Sequence, residues 1–154
     1  MTYRIVVGCD DAGLDYKERI AEDLRADPRV GEVIDLGVHR GSDDVHRPYP
    51  EIGLAAGEAI RDGRADRAVL ICGTGIGMAL SANKVAGVRA TTAHDSYSAE
   101  RSVLSNNCQV VTFGQRVVGL ELARRLVAEW LGFEFDHQSA SAAKVELIAE
   151  YERC

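Results

Sequence analysis

The sequence lacks any run of 18 consecutive apolar residues, and its first stretch, MTYRIVVGCDDAG, carries no long apolar segment, so neither a membrane span nor a secretory leader is expected. An excess of positive charge is also missing. The formal net charge is −6 and the pI about 5.2, which offers nucleic acid or an anionic membrane no general attraction. Any phosphate must therefore be met by a local cluster. There is no C-x-x-C pair, because Cys9, Cys72, Cys108 and Cys154 lie far apart. A chain of 154 residues, 46% of them hydrophobic, buries enough core to stand without disulfide staples. No internal repeat or low-complexity tract is visible. These absences leave one compact domain over residues 1–154 in a reducing, cytoplasmic setting.

Short apolar runs rich in β-branched residues recur at Ile5-Val6-Val7, Val33-Ile34, Ala68-Val69-Leu70-Ile71, Val88 onward and Gln109-Val110-Val111-Thr112-Phe113. Each gives way to glycine or polar residues and then to helical periodicity, as with Tyr16, Ile20 and Leu24, or Leu122, Leu126 and Trp130. Strands that are continuously apolar are buried on both faces. The pattern predicts an α/β fold: a three-layer α/β/α arrangement around a five-stranded, mostly parallel sheet. Ligands of such sheets bind beyond the carboxyl ends of the strands, where Cys9-Asp10-Asp11, Cys72-Gly73-Thr74 and His94-Asp95 all fall. Residues 37–49 read as a polar loop, 50–60 as a helix, and 139–153 as a final helix capped by Ser139 or Ser141.

The stretch ICGTGIGMALSANK, residues 71–84, is the chemically loaded one. Its G-x-G-x-G lacks the spacing of a dinucleotide fingerprint, follows a middle strand and has no Walker lysine, so nucleotide binding is disfavoured. A tight structural turn explains the glycines alone. It leaves Cys72 unexplained. At a strand end facing the amides of a helix opening near Gly77, a cysteine is favoured as thiolate and an anion beside it is stabilised. A thiolate that takes a proton next to a carbonyl, facing amides that hold the oxyanion, supplies the two parts of an enediolate mechanism. The bland alternative is an inert, buried small hydrophobe.

The strand-end GCDDAG at 8–13, the ICGTGIGMALSANK block with GVRA at 87–90, AHDSYSAERSVLSNN at 93–107 and FGQRVVGLELA at 113–123 closely resemble the RpiB/LacAB family of sugar-phosphate isomerases. The resemblance spans nearly the whole chain. It implies a Rossmann-like parallel sheet, and a homodimer, or a tetramer built from dimers, with active sites shared at the interface and the final helix packed there. It further implies no metal and no cofactor, and a proton moved between C1 and C2 of an aldose or ketose phosphate. By position, Cys72 matches the base, Thr74 the hydroxyl that orients substrate or assists ring opening, and Gly73, Gly75 and Gly77 the anion-stabilising turn. Asp10 matches a carboxylate near the substrate hydroxyls, Asn106 the asparagine beside the enediolate, and Arg116 and Lys144 basic residues facing the phosphate.

Departures from that pattern bear on the substrate. Asp11 stands where many ribose-5-phosphate isomerases of the family have a phosphate-side histidine, Ser105 where they have a ring-opening histidine, and Ala140 where an arginine is common. A four-carbon sugar 4-phosphate has its 4-hydroxyl esterified and cannot close the furanose, so it needs no ring-opening acid. The stretch HDSYSAERSVLSNN is likewise similar to the branch that isomerises D-erythrulose 4-phosphate, with ribose 5-phosphate the alternative and His94 the candidate replacement acid. A nucleotide-binding sensor and a non-catalytic sugar-phosphate binder are the other function classes.

Arg40 and Arg47, in the polar loop, are candidates to approach the phosphate, and Tyr49 either lines the pocket or packs. His39, Asp43, Asp44 and His46 contain suitable metal ligands, but no helical or strand spacing aligns them, and they read as a solvated loop. Asp95 reads as a helix-start acid, Glu100 with Arg101 as a surface pair, and Cys9 and Cys108 as core.

Overall fold

The computed structural model describes residues 2–153, so Cys154 lies outside the described residues. Strands and helices alternate: β1 (Tyr3–Cys9), α1 (Leu14–Ala26), β2 (Val30–Asp35), α2 (Tyr49–Arg61), β3 (Arg67–Cys72), α3 (Ile76–Ala82), β4 (Ala90–Thr92), α4 (Ser96–Leu104), β5 (Val110–Gly114), α5 (Leu120–Trp130) and α6 (Ala142–Glu152). The five strands lie in the order β2-β1-β3-β5-β4, and all four pairings are parallel. The order reverses between β1 and β3. That switch point opens a crevice at the strand ends, and Asp10 and Cys72 each stand directly beyond the pair Cys9 and Ile71, which are in register.

Strand periodicity divides the core in two. Ile5, Val7, Val69, Ile71, Val111 and Phe113 point to the face covered by α1, α4 and α5, where Ile20, Leu24, Leu126 and Trp130 are buried with them. Val6, Ala68, Leu70, Cys72 and Val110 point to the other face, under Ile52 and Ala56 of α2 and Met78 and Ala82 of α3. Each such side chain taken fully out of water contributes roughly 1.5–3 kcal/mol. Cys72 therefore shares its face with α2 and α3, which explains why Tyr49, opening α2, reaches the same crevice.

Two charged side chains are buried among these layers. Lys17 of α1 is 1% exposed and its Nζ meets Asp35 Oδ2 at 2.8 Å. Arg67 begins β3 at the opposite end from Cys72. Its guanidinium stacks 4.6 Å from the Tyr3 ring centroid and 4.8 Å from that of Trp130, and it donates to the Trp130 and Phe133 carbonyls. Trp130 is the last residue of α5 and Phe133 lies in the segment after it, so one side chain ties a strand start to a helix end and satisfies a carbonyl that the helix leaves over.

Several boundaries differ from the sequence expectation. Edge strand β2 extends back to Val30, and β4 is confined to Ala90–Thr92, because edge positions need only half the apolar content of central ones. Helix α2 starts one residue early, at Tyr49. Helix α6 begins at Ala142 rather than 139: Ser141 is already helical and caps nothing through its side chain, and Ser139 Oγ is buried without a hydrogen-bond partner. Leu122 is 44% exposed, and the buried face of α5 runs instead through Ala123, Leu126, Val127 and Trp130.

Candidate active site

The backbone after β3 is shaped around the Cys72 sulfur. Gly75 adopts φ +81, a left-handed conformation that turns its N–H back to donate to Cys72 Sγ at 3.0 Å. The Gly75 carbonyl accepts from Thr112 Oγ1 at 2.8 Å, and Thr112 is itself fully buried on β5 beside Thr92 Oγ1 at 2.7 Å. Two further bonds, Gln115 N to the Cys72 carbonyl at 2.9 Å and Arg116 N to the Gly73 carbonyl at 3.1 Å, lock the β3 and β5 loops together. The sulfur thus faces one firmly held backbone donor. Helix α3 is only seven residues long, so it is this directed amide, rather than a long helix dipole, that the sulfur meets.

A crevice of about 450 Å³ opens above the sulfur, lined by Cys72, Gly73, Thr74, Gly77, Asp10, Asp11, Tyr49 and Arg116. Eight of the residues named from sequence are thus brought together at three strand ends. Asp10 accepts from Ala12 N at 3.1 Å and is half-buried; burial, and secondly the charge of Asp11, raise its carboxyl above the ordinary range. Thr74 Oγ1 accepts from Ile76 N at 3.3 Å and keeps its own proton to donate. An added Cβ at Gly73 would lie 3.0 Å from Arg116 Nη1, and one at Gly77 would run into the Tyr49 ring. Gly75 is in the turn as expected, but its N–H is committed to sulfur rather than free for a substrate oxyanion.

Other candidates stand elsewhere. His94 Nε2 accepts from Gly114 N at 3.0 Å, which puts the ring proton on Nδ1, and burial lowers the imidazole's affinity for a second one. As placed, His94 cannot donate from Nε2 to a sugar, and it does not line the crevice. Asn106 and Lys144 are exposed but remote: helix α4 runs from the carboxyl ends of the strands back along the sheet, leaving Asn106 next to the start of β5. Asn106 lines a different and larger groove, about 630 Å³, along edge strand β4 with Arg89, Arg101 and Ile148. The crevice at Cys72 is therefore the smaller of these two hollows.

Arg40 Nη2 is held by Asp15 at 2.6 Å and Glu18 at 2.9 Å, and Arg47 by the Leu36 carbonyl at 3.1 Å and Glu51 at 3.4 Å. Neither lines the crevice. The loop that carries them is closed on itself, with Asp44 accepting from the Ser42 hydroxyl, His39 N and the His39 ring, and so held well below the usual carboxylate range. Among the described residues, no group of three or more His, Cys, Asp or Glu could hold a metal ion. Asp95 caps α4 by accepting from Ser98 N at 2.7 Å, and Glu100 pairs with Arg101 at 3.1 Å. Cys9 and Cys108 are buried, and burial pushes their thiols up to about 12 and about 11. No helix among the described residues is long and apolar enough to cross a membrane.

Sequence reasoning missed three residues. Ile76 and Leu80, 57% and 60% exposed, form an apolar lip of the crevice; their i,i+4 spacing on a helix whose other face is buried was the available signal. Thr112, the clamp on Gly75, reads in sequence only as part of a strand.

Residues 5–148 match the family model described as Ribose/Galactose Isomerase. The chain is 60% identical over 152 residues to D-erythrulose-4-phosphate isomerase 2 of Mycolicibacterium smegmatis, covering 99% of both. It is 42% identical over 149 residues to D-erythrulose-4-phosphate isomerase of Pectobacterium atrosepticum, covering 96% of this chain and 94% of that one. Among solved structures, ribose-5-phosphate isomerase B of Clostridium thermocellum superposes with a TM-score of 0.89 at 40% identity, covering 97% of each chain. Together with the parallel sheet and the crevice at its switch point, these matches make the chain a member of the ribose/galactose isomerase family of sugar-phosphate isomerases.

Proposed function

We propose that this sugar-phosphate isomerase interconverts D-erythrulose 4-phosphate and D-erythrose 4-phosphate through an enediolate, with Cys72 as the base. The observation that carries the reading is the Gly75 N–H donating to Cys72 Sγ at 3.0 Å, which fixes the sulfur at the head of the 73–77 turn, in one crevice with Asp10, Thr74 and Arg116. From the ketose, the thiolate takes a proton from C1 and the electrons of the C2 carbonyl move onto O2, facing the 73–77 turn. The hydroxyl proton passes from O1 to O2 by way of Thr74 or Asp10. As C1 becomes a carbonyl, Sγ returns its proton to C2. Atoms and charge balance, and the thiolate is regenerated.

The four-carbon substrate is supported by Ser105 in place of a ring-opening histidine, by the engagement of His94 Nε2, and by the names of relatives at 60% and 42% identity. A homodimer with shared sites belongs to the same reading. Asn106 and Lys144 reach a Cys72 crevice only if it belongs to a second copy, and α6 exposes Leu147, Ile148 and Tyr151 for such a copy to cover. The test compares kcat/KM for D-erythrulose 4-phosphate and D-ribose 5-phosphate, with Cys72→Ala alongside. We expect a preference of roughly a hundredfold or more for the tetrulose, about 2.7 kcal/mol in transition-state binding, and loss of turnover in the variant. Preference for ribose 5-phosphate would overturn the substrate. Turnover surviving in Cys72→Ala would overturn the base.

A further inference from the structure

Among the described residues that line the Cys72 crevice, Arg116 is the one basic side chain, and it forms no ion pair with any described residue. Its guanidinium lies over Gly73, where an added Cβ would come within 3.0 Å of Nη1. Arg116 is exposed, so its place in the crevice is set by the backbone that carries it. That backbone is a turn hung from Gly114, whose carbonyl accepts from Val117 N at 2.9 Å and Val118 N at 3.0 Å. The ladder between β4 and β5 ends at the pair Thr92 and Thr112, and beyond it the Gly114 N–H is met by a side chain, His94 Nε2 at 3.0 Å. Gly114 is buried and its backbone runs against Thr74, since an added Cβ would lie 2.6 Å from Thr74 Cα. A donor buried there is costly to leave unpaired, and losing its acceptor would push the turn toward solvent. Burial keeps His94 Nε2 unprotonated at neutral pH and so able to accept.

We propose that His94 is a positioning residue: by accepting from the Gly114 N–H it fixes the 114–118 turn, and so holds the Arg116 guanidinium where the substrate phosphate is met. The inference rests on reading the Cys72 crevice as the sugar-phosphate site. It gives the imidazole a part in phosphate affinity and none in proton transfer. Two variants separate this role from packing. His94→Gln keeps an acceptor at the same bond count from Cβ as Nε2 and loses the ring. His94→Phe loses the acceptor and keeps a ring against Phe113, whose centroid lies 6.2 Å from that of His94.

The test titrates wild type and both variants with inorganic phosphate by calorimetry, with sugar-phosphate kinetics and thermal melts on the same preparations. Losing a hydrogen bond to a charged group outright costs roughly tenfold to a hundredfold in affinity, and displacing Arg116 costs a part of that. The expected result is phosphate binding weaker by roughly threefold to tenfold in His94→Phe and close to wild type in His94→Gln. KM should move in step while kcat stays within roughly twofold, the pattern of a lost uniform binding contact. If the melts show that His94→Phe does not fold, His94→Leu, smaller and equally without an acceptor, takes its place. The reverse order, with His94→Gln the weaker binder, would mean that the ring only packs and would overturn the proposal. Equal losses in both variants, no loss in either, or a wild type that binds no phosphate would overturn it as well. So would a fall in kcat at unchanged KM, which would put His94 at the reacting carbons. The titration needs no turnover: phosphate binding without isomerase activity would sink the proposed function while the affinities still decide the role of His94.

Discussion

Replacing Gly75 by alanine tests the link between backbone shape and sulfur chemistry. At φ +81, a side chain suffers the left-handed penalty of about 1–2 kcal/mol. The new Cβ would also lie 2.9 Å from the Phe113 carbonyl carbon, 3.1 Å from Phe113 N and 3.1 Å from Thr112 Oγ1. Two of those atoms are backbone of a central strand and cannot step aside, so overpacking adds about 1–3 kcal/mol. The sum, about 2–5 kcal/mol, corresponds to a fall in Tm of roughly 5–15 °C for a chain this size, short of unfolding it at 25 °C. Relief comes by moving residue 75 away from β5, which takes its N–H off Cys72 Sγ. The sulfur then loses a hydrogen bond worth about 1.5–3 kcal/mol to a charged acceptor, so the rate of Cys72 alkylation at neutral pH should fall by roughly tenfold to a hundredfold. The assay is iodoacetamide alkylation followed by peptide mass spectrometry, which separates Cys72 from the other cysteines, with a thermal melt of the same sample. A lower Tm with unchanged Cys72 alkylation would refute the claim that this amide governs the reactivity of the sulfur. An unchanged Tm would refute the packing estimate itself.

Two further outcomes are expected. Gly77→Ala should push the Tyr49 ring aside; because that ring is 41% exposed and can move, KM should rise several-fold while Tm shifts by less than about 4 °C, and a large stability loss would contradict this. Asp10→Asn should stabilise the fold at pH 7 and lower turnover. The folded state disfavours ionised Asp10, so the carboxylate subtracts stability above its raised value, and that penalty disappears as the pH falls through it. Urea melts should therefore show the variant's advantage shrinking toward pH of about 4, and an advantage that grows on acidification would show the sign to be wrong.

The strands were legible because β1, β3 and β5 are central and need apolar side chains on both faces, which leaves continuous runs such as Arg67–Cys72. Edge strands β2 and β4 were blurred because solvent accepts polar residues there. At the site, neighbours in the chain were readable: Cys72, Gly73 and Thr74 announce one another. What was not readable depends on chain segments far apart. The Thr112 clamp on Gly75 spans 37 positions, and the Gly114 amide that occupies His94 spans 20. The separation of Asn106 from Cys72 is likewise set by the direction in which α4 crosses the sheet, which spacing does not encode.

The buried guanidinium of Arg67 lies at the start of a strand whose far end carries Cys72, and the six-residue length of β3 separates them. One end of the sheet is thus a foundation and the other a workbench. Changes around Arg67, Trp130 and Tyr3 bear on whether the chain folds at all, whereas changes at positions 11, 49 or 105 fall on exposed or half-exposed loops and helix ends with no structural duty of that kind. Such a molecule can alter its diet without relearning how to fold. One scaffold can then serve relatives named for a four-carbon and a five-carbon sugar phosphate. In descent or in the laboratory, a new substrate is to be sought at the workbench, with the foundation left untouched.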